Sequence, residues 1–406
     1  MARPCIVVFR ASEVCYLGVI RSLAALDVDV VSVSWRWPGA PAFYSDRSAF
    51  RGRMVQIANP GSDPQQARRD LKALFTRLSA DYGTPPLLMP TSDSILTFVL
   101  DSPELWPHAR LANAWDFPTT GRLLDKQALS EQLQGSAIVQ PDTRRCDLAA
   151  LQAMPLPFIV KPAIKDPVNS FYAEFAGAKA LFIRDERERE AVIGSAVHQR
   201  YPLIAQQYID PAERIDDMPV YVATDRDGRV LHCTSVDKVF VHPAGFGTAF
   251  IVREQRQAMV SREEVDGFVA ATGLRGIVML EFIRGRDGRF YFIEANPRPW
   301  LLVDYQRLRG RNYFHFLDPA SPQALAPQLD EATYYVELTG LCRSFEKLHP
   351  DDPRAPLLAL LASLDGPCRL ATFDLQDSGP MDAEMTALAQ RHGIPFVRDL
   401  RAALGC

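Results

Sequence analysis

A predicted β-hairpin late in the chain constrains the fold more than any other stretch. Two apolar runs, 278–282 and 290–293, are rich in β-branched and aromatic residues, and an Asp-Gly turn at 287–288 joins them. Pairing of the runs about this turn sets Glu281 near Glu294. A carboxylate is costly to bury without a partner, so these acids either bind cations or belong to an ordinary exposed hairpin.

Two more polar side chains follow on the same strand. Asn296 lies two residues beyond Glu294, and therefore on the same face, and Arg298 follows after another two residues. Carboxylate and amide oxygens are ligands of hard divalent ions such as Mg²⁺, which proteins often share with substrate phosphates. Arg298 supplies a permanent cation suited to phosphate or to a developing anion. The pattern therefore indicates a site for a metal and a nucleotide.

Composition and charge exclude several classes of protein. The 406-residue chain is 47% hydrophobic and 23% charged, which is typical of globular proteins with a sizeable core. Its net charge of −4 gives no general basic field, so we expect no nucleic-acid partner. No apolar run is long enough to predict a membrane span. Seven dispersed cysteines without a C-x-x-C pair are typical of reduced thiols and predict a cytoplasmic protein.

The first hundred residues predict a parallel α/β domain. Strands at 5–9 and 28–33 flank a segment, 14–26, whose apolar residues recur at helical spacing. A helix at 64–80 and a strand at 86–90 follow. The loop after the first strand lacks the G-x-G-x-x-G pattern of a dinucleotide site, so we assign no cofactor there.

Asp93 lies in the polar loop after the strand at 86–90, just before a helix predicted at 95–100. Loops at the carboxyl ends of such strands commonly face ligands, so Asp93 is a candidate for contact with an acceptor substrate. The alternative is that Asp93 only caps the helix.

The middle of the chain places two lysines in predicted elements. Lys126 falls within a helix expected at 122–134, and Lys161 ends the apolar strand 157–162. A lysine at the end of a strand can extend its ammonium group to solvent or contact a phosphate. Further elements are predicted, in chain order, as a strand at 180–183, a helix at 185–199, a strand at 203–209, a hairpin turning at 227–228, helices at 261–272, 333–345 and 354–364, a strand at 368–375 and a final helix at 381–392.

Several motifs, taken in order, resemble the ATP-grasp superfamily, within a branch of carboxylate–amine ligases similar to D-aspartate ligase. The resemblance covers about residues 85 to 300. Its motifs are Leu88-Met89-Pro90-Thr91-Ser92-Asp93, Leu124-Asp125-Lys126, Phe158-Ile159-Val160-Lys161-Pro162, Gln206-Gln207-Tyr208-Ile209, and Glu281 with Glu294-Ala295-Asn296 and Arg298.

The resemblance implies an α/β architecture with three parts. A Rossmann-like pre-ATP-grasp domain would occupy residues 1–115. A two-lobed ATP-grasp domain of α+β type would occupy 116–310, with a lid subdomain at about 150–210. Residues 311–406 would form a C-terminal extension, which could complete the grasp domain or form an interface such as that of a homodimer.

The resemblance also implies a role for each matched residue. The expected nucleotide-binding residues are Lys126, Lys161, Gln206, Gln207, Tyr208, Ile209, Asp217, Glu281 and Glu294. The expected ligands of two Mg²⁺ ions, which Mn²⁺ could replace, are Glu281, Glu294 and Asn296. The expected catalytic residues are Arg298, Arg253 and Lys238. A phosphate-covering lid is expected at 163–178, with Lys165, Asn169 and Ser170 as its polar residues.

The implied reaction joins a small-molecule carboxylate to an amine, both from amino-acid-like substrates. A carboxylate is a poor electrophile because its leaving group would be oxide, so ATP would first convert it to an acyl phosphate, and ADP and phosphate would be released. Two alternatives remain open at this point, namely a thiol or a phosphorylated carrier as the acceptor, and a nucleotide-binding module without catalysis. Three arginines, Arg307, Arg309 and Arg311, either bind an anionic substrate or form a solvated face.

Overall fold

The fold contains three β-sheets with helices packed against them. The computed structural model describes residues 3–35, 43–113, 116–164, 171, 174–175, 178–211, 217–243, 247–255 and 260–404. The sheets follow one another along the chain and contain five, four and seven strands.

The first sheet is parallel throughout, as predicted for the N-terminal segment, with strand order β3-β2-β1-β4-β5. Its elements are β1 (Cys5–Phe9), α1 (Glu13–Leu23), β2 (Asp29–Ser34), β3 (Arg53–Gln56), α2 (Pro64–Tyr82), β4 (Leu87–Met89), α3 (Asp93–Leu100) and β5 (Arg110–Leu111). Alternate residues of β1 enter two different cores, because Ile6 and Val8 pack on the side of α1 and Val7 packs on the side of α2. Helices therefore cover both faces of this sheet.

The second sheet is antiparallel, with strand order β6-β9-β7-β8. The elements from its approach to its last strand are α4 (Phe117–Leu124), α5 (Lys126–Gln132), β6 (Thr143–Arg145), α6 (Leu148–Ala153), β7 (Phe158–Pro162), β8 (Leu181–Ile183), α7 (Glu186–Gly194), α8 (Val197–Arg200) and β9 (Leu203–Gln207).

The single helices predicted at 122–134 and 185–199 are each two helices, so both predictions are wrong in part. Asp125 breaks the first, because its carboxylate accepts hydrogen bonds from the amides of Gln127 (2.9 Å) and Ala128 (3.2 Å) and so caps α5. Ala196, with a φ angle of 51°, breaks the second. The first break has a consequence for function, since it makes Lys126 the first residue of a helix.

The third sheet has strand order β14-β13-β10-β11-β12-β15-β16 and is antiparallel except for its last pair. Its elements and the helices around it are β10 (Asp217–Thr224), β11 (Val230–His242), β12 (Thr248–Glu254), α9 (Arg262–Thr272), β13 (Ile277–Arg284), β14 (Phe290–Asn296), α10 (Asp304–Leu308), β15 (Tyr334–Val336), α11 (Leu338–Leu348), α12 (Arg354–Ala362), β16 (Cys368–Leu370), α13 (Gly379–His392) and α14 (Ile394–Leu404).

The C-terminal region differs from the sequence-based prediction in two ways. The helix predicted at 333–345 begins later, because the aromatic and β-branched run of β15 pairs with Ile251 and Val252 of β12 instead. A further helix, α14, follows the one predicted to be the last. Strands β15 and β16, which lie beyond residue 310, thus continue the third sheet, and α11 to α14 pack on it through a shared apolar core.

Buried ion pairs join the beginning of the chain to its end. Arg21 of α1 is 3% exposed, and its guanidinium lies 3.0 Å from the carboxylate of Asp377 and 3.4 Å from that of Asp304. Gly18 allows α1 to approach this closely, since a Cβ atom there would lie 2.8 Å from the backbone nitrogen of Asp304. The contacts fix the first sheet against the segment that follows β14.

No helix in the described part of the chain combines the length and the apolar character that crossing a membrane requires.

Candidate active site

The late hairpin positions the two acids. Strands β13 and β14 pair with Glu281 opposite Glu294 and Met279 opposite Asn296, so the predicted pairing is present. Gly288 has a φ angle of +79°, which explains the glycine in the turn. A change of register between Glu281 and Phe282 forms a bulge directly beside the acids, a common device for directing side chains at functional sites.

Asn296 lies between the two carboxylates. It is 2% exposed, and its side-chain nitrogen is 3.4 Å from Oε1 of Glu281 and 3.4 Å from Oε1 of Glu294. The three side chains therefore converge on one point. No group of three or more His, Cys, Asp or Glu side chains with metal-binding geometry occurs in the described ranges, so an ion here would depend on two carboxylates and one amide. This all-oxygen donor set fits a hard ion such as Mg²⁺ if the amide turns its oxygen toward the ion.

Lys126 lies on the edge of the same cluster. It is 8% exposed, and its ammonium group is 3.9 Å from Oε2 of Glu294 and 3.3 Å from the carbonyl oxygens of Pro162 and Ala163. Those carbonyls belong to the end of β7 and the residue after it. The first turn of α5 thus lies against the end of β7, close to Glu294 of β14.

Lys161 is the next to last residue of β7 and is also 8% exposed. It pairs with Ile204 of β9 in the four-stranded sheet. Its side chain is therefore largely buried, and its contact with a phosphate stays a prediction.

Arg298 forms a two-pronged ion pair with Asp93. Its Nε and one terminal nitrogen lie 2.6 and 2.7 Å from the two carboxylate oxygens, and the other terminal nitrogen donates to the carbonyl of Pro299 at 2.9 Å. Burial disfavours the guanidinium charge, but the Asp93 carboxylate raises the pKa of Arg298 above its ordinary value. Arg298 therefore remains a cation next to Asn296, which it approaches at 3.5 Å.

Asp93 does not cap the helix, whereas its predicted contact with an acceptor substrate stays a prediction. The cap of α3 is Ser92, whose hydroxyl accepts from the amide of Ile95 at 3.3 Å. The Asp93 carboxylate is instead directed to Arg298. The pair joins the first sheet to the end of the hairpin.

Lys238 shares a face of the third sheet with the acids. Met279 and Thr234 both pair with Tyr221, so these three side chains lie on one face. Glu281 lies two residues after Met279 and Lys238 lies four after Thr234, which keeps both on that face. Lys238 and the acid pair are therefore on the same side of the sheet, two strands apart.

Arg253 lies on the opposite face. It pairs with Asp237, the neighbour of Lys238, and its guanidinium contacts the Asp237 carboxylate at 3.5 Å. It also donates to the hydroxyl of Tyr334 at 2.9 Å and lies 3.5 Å from Asp365. The structure does not bring Arg253 to the acids, and its contacts connect β12 to the C-terminal region instead.

The resemblance implies that the backbone around Gln207–Ile209 recognises the adenine of the nucleotide, and this segment lies at the end of β9. Gln206 is buried and donates to the hydroxyl of Thr143 at 2.8 Å, whereas Gln207 is exposed. The amide of Gln207 donates to Asp142, and that of Tyr208 donates to Pro157. A base bound here would therefore rely on carbonyl groups of this segment and on the amide of Ile209.

Two parts of the predicted nucleotide site are not fully described. Asp217 begins β10 opposite Ile283, but its side chain lies outside the described residues. Lys165, Asn169 and Ser170 of the predicted lid lie wholly outside the described residues.

The three arginines after the hairpin are in ion pairs. Arg309 and Arg311 both contact the carboxylate of Glu254. Arg307 contacts Asp304 at 2.6 Å and also Asp374. The solvated face predicted as one alternative for these arginines is therefore wrong, and the other alternative, binding of an anionic substrate, stays a prediction.

A crevice, here called the acid crevice, opens beside the acids. Residues that line it are Asp93, Thr97, Lys126, Ile164, Glu294 and Asn296. Sequence reasoning missed Thr97, and it included Ile164 only as part of the lid expected at 163–178. The signal for Thr97 was its position, since it lies four residues after Asp93 and so on the same face of α3. Ile164 carried no signal of its own.

Comparison with solved structures shows the fold. The L-amino acid ligase from Bacillus licheniformis is 17% identical over 80% of this chain and 75% of its own, with a TM-score of 0.55. The N5-carboxyaminoimidazole synthetase from Staphylococcus aureus, in complex with ADP, is 13% identical over 86% of this chain and 88% of its own, with a TM-score of 0.59.

A third similar structure is the biotin carboxylase domain of the 2-oxoglutarate carboxylase from Hydrogenobacter thermophilus, in complex with MgADP, ADP and bicarbonate. It is 15% identical over 82% of this chain and 74% of its own, with a TM-score of 0.58. No family model and no curated protein matches the chain. The chain has the ATP-grasp fold, as its motifs predicted.

Proposed function

We propose that this chain, whose fold is that of ATP-grasp ligases, activates a carboxylate with ATP and transfers the resulting acyl group to an amine. The observation that carries the proposal is the convergence of Glu281, Glu294 and Asn296 at one point, with Lys126 3.9 Å from Glu294. An acid cluster bordered by a buried lysine suits a triphosphate whose charge is shared between metal ions and ammonium groups.

The same three side chains would hold magnesium, and the bound ion would neutralise charge on the transferring phosphoryl group. Lys126 and Lys161 would bind phosphate oxygens from the end of β7 and the start of α5. Lys238, on the face of the sheet that carries the acids, would supply a further positive charge. We retain ATP and Mg²⁺ as the proposed nucleotide and metal, in line with the ADP and MgADP bound in the similar structures.

Arg298 would stabilise the anion that forms when the amine attacks the acyl phosphate. Three of its five N–H groups already contact Asp93 and Pro299, and Asn296 lies near a fourth. Asp93 would thus position the arginine, while the remaining N–H of the guanidinium meets the developing charge. The buried surroundings make such a contact stronger than it would be in water.

The test is a screen of amino acids, alone and in pairs, with Mg·ATP and a readout of released phosphate. We expect ADP and phosphate to appear only when a carboxylate donor and an amine acceptor are both present, with an amide product by mass spectrometry. Release of AMP and pyrophosphate would contradict the proposal, because it would indicate adenylation. Calorimetry showing Mg·ATP binding without turnover across the panel would favour a nucleotide-binding module instead.

A further inference from the structure

A second cavity, here called the α3–α4 groove, lies beside the acid crevice. It encloses about 360 Å³, which is within the range of roughly 300–1,000 Å³ typical of small-molecule sites. Its lining is mostly apolar and includes Leu100, Trp106, Phe117, Leu124 and Ile164. None of these residues has a role in the proposed phosphoryl transfer.

The groove and the acid crevice are neighbours. Thr97, Leu124 and Ile164 line both of them. Helix α3 runs along the two cavities, because Asp93, Thr97 and Leu100 follow one another at helical spacings of four and three residues. The rise of a helix puts the Cα atoms of Asp93 and Leu100 about 10 Å apart along the axis of α3.

Two stacked aromatic rings form one wall of the groove. The rings of Trp106 and Phe117 stack with their centroids 5.3 Å apart and their planes 5° from parallel. The indole nitrogen of Trp106 donates to the carbonyl of Val99 at 3.1 Å, so its polar end is satisfied without a ligand. Such a wall recognises apolar or aromatic groups and gives a charged group no partner.

Polar side chains lie beside the acid crevice and among the other residues that line the groove. The hydroxyl of Thr97 is buried and has no hydrogen-bond partner among the described residues, although most buried hydroxyl groups have one. The groove also includes two acids, Asp101 and Asp125, against one arginine, Arg122. This excess of one negative charge disfavours an acidic ligand.

We propose that the α3–α4 groove binds the side chain of the amino-acid substrate and selects bulky apolar side chains, aromatic or branched aliphatic, over small or acidic ones. The inference rests on the proposed function, because it takes the substrate carboxylate to lie in the acid crevice, beside Lys126 and Glu294. From that position the side chain extends past Thr97 into the groove.

Gly121 offers a way to fill the groove without disturbing the fold. It lies in α4 on the groove lining, and a Cβ atom built there meets no other atom within 4 Å. Gly121→Leu therefore places an apolar side chain in the space proposed for the substrate, and it raises helix propensity at the same time. Gly194→Leu is the matched control, since Gly194 is an exposed helical glycine in α7 with equally open surroundings.

The experiment compares leucine, phenylalanine, alanine and aspartate as carboxylate donors by phosphate release, each with the same amine acceptor, taken from the substrate screen and held at one saturating concentration. In the wild type we expect the highest kcat/KM with leucine or phenylalanine and the lowest with aspartate. Gly121→Leu should lower kcat/KM for leucine and phenylalanine at least about tenfold, mainly through KM, and change the value for alanine less than about twofold. Gly194→Leu should match the wild type with every donor.

Two results would overturn the inference: a wild-type preference for alanine or aspartate, or equal losses for leucine and alanine in Gly121→Leu. If none of the amino acids makes the wild type release phosphate, the result contradicts the proposed function instead. In that case calorimetry with leucine decides about the groove. Binding by the wild type that is lost in Gly121→Leu and kept in Gly194→Leu supports it, and the absence of binding to the wild type refutes it.

Discussion

The guanidinium of Arg298 and the carboxylate of Asp93 form two parallel hydrogen bonds across 205 residues of chain. The pair connects the start of α3 in the first sheet to the end of the hairpin in the third. Both side chains are mostly buried, at 13% and 19% exposure. The position of the proposed catalytic arginine therefore depends on a residue from a different sheet.

Replacement of Asp93 by asparagine tests this dependence. Asp93→Asn keeps the size of the side chain but removes the charge that opposes Arg298, so we expect a loss of about 1–3 kcal/mol in the free energy of unfolding. We also expect kcat to fall roughly tenfold to a hundredfold, since the arginine is no longer held in place. Urea denaturation and phosphate release measure the two effects. Asp81→Asn, an exposed acid at the end of α2, should change neither. A normal kcat in Asp93→Asn would show that the pair does not position Arg298.

The acid pair should control the dependence on magnesium. Glu294→Gln removes one of the two charges proposed to hold the ion, so we expect the Mg²⁺ concentration for half-maximal activity to rise and kcat to fall at least about a hundredfold. Titration of ADP release with Mg²⁺ measures both quantities. Glu263→Gln, an exposed acid in the first turn of α9, is the control for a loss of charge alone. An unchanged Mg²⁺ titration would exclude Glu294 as a ligand.

A buried carboxyl group should make stability fall as the pH rises. Burial, together with the nearby Glu384, raises the pKa of Glu337 to about 7 from its ordinary 4.5. The folded protein then keeps a proton on Glu337 that the unfolded chain releases. The contribution of this group to the free energy of unfolding is therefore fully present below about pH 4.5 and is lost as the pH rises through about 7. Glu337→Gln should reduce the loss between pH 5 and 8, by up to roughly 3 kcal/mol.

The measurement for Glu337 is the free energy of unfolding by urea at several pH values. Glutamine can still accept the hydrogen bond that Glu337 receives from the amide of Gly340 at 2.8 Å, so the cap of α11 is retained. The exposed Glu331→Gln variant should follow the wild type. Identical pH profiles for Glu337→Gln and the wild type would refute the prediction.

Arg21 should contribute far more to stability than an exposed arginine with a shorter ion pair. Arg21→Ala leaves Asp377 buried without its cation and leaves Asp304 with Arg307 alone, so we expect a loss of about 3–5 kcal/mol. Arg3 lies 2.5 Å from Asp27, but the two side chains are 61% and 65% exposed, so Arg3→Ala should cost less than about 1 kcal/mol. Chemical denaturation of both variants measures the difference. Equal losses in the free energy of unfolding for Arg21→Ala and Arg3→Ala would contradict the expectation that the buried arginine contributes more.

Local patterns were sufficient for the parts of the site that depend on short-range pairing. The register of Glu281 with Glu294 follows from an Asp-Gly turn between two apolar runs, because a hairpin leaves few alternatives. The parallel first sheet follows in the same way from its alternation of strands and helices. Both are properties of neighbouring residues, which a single sequence contains.

Long-range partners could not be predicted in this way. Nothing near Asp93 in the sequence indicates Arg298, and nothing near Arg309 indicates Glu254. The break at Asp125 was missed for a different reason, because an aspartate in an amphipathic run fits an exposed helical position as well as a cap. The face of the sheet that Arg253 occupies depends on the registers of three strand pairs, which the sequence does not contain.

The pairing of β15 with β12 has a consequence for fragments of this protein. A chain cut after residue 310 would keep every residue of the proposed site and would still leave the outer edge of β12 without its neighbour. Bare strand edges recruit further strands from other molecules, so such a truncated enzyme is a candidate for aggregation. Work on residues 1–310 in isolation would therefore need the residues that follow as a cover.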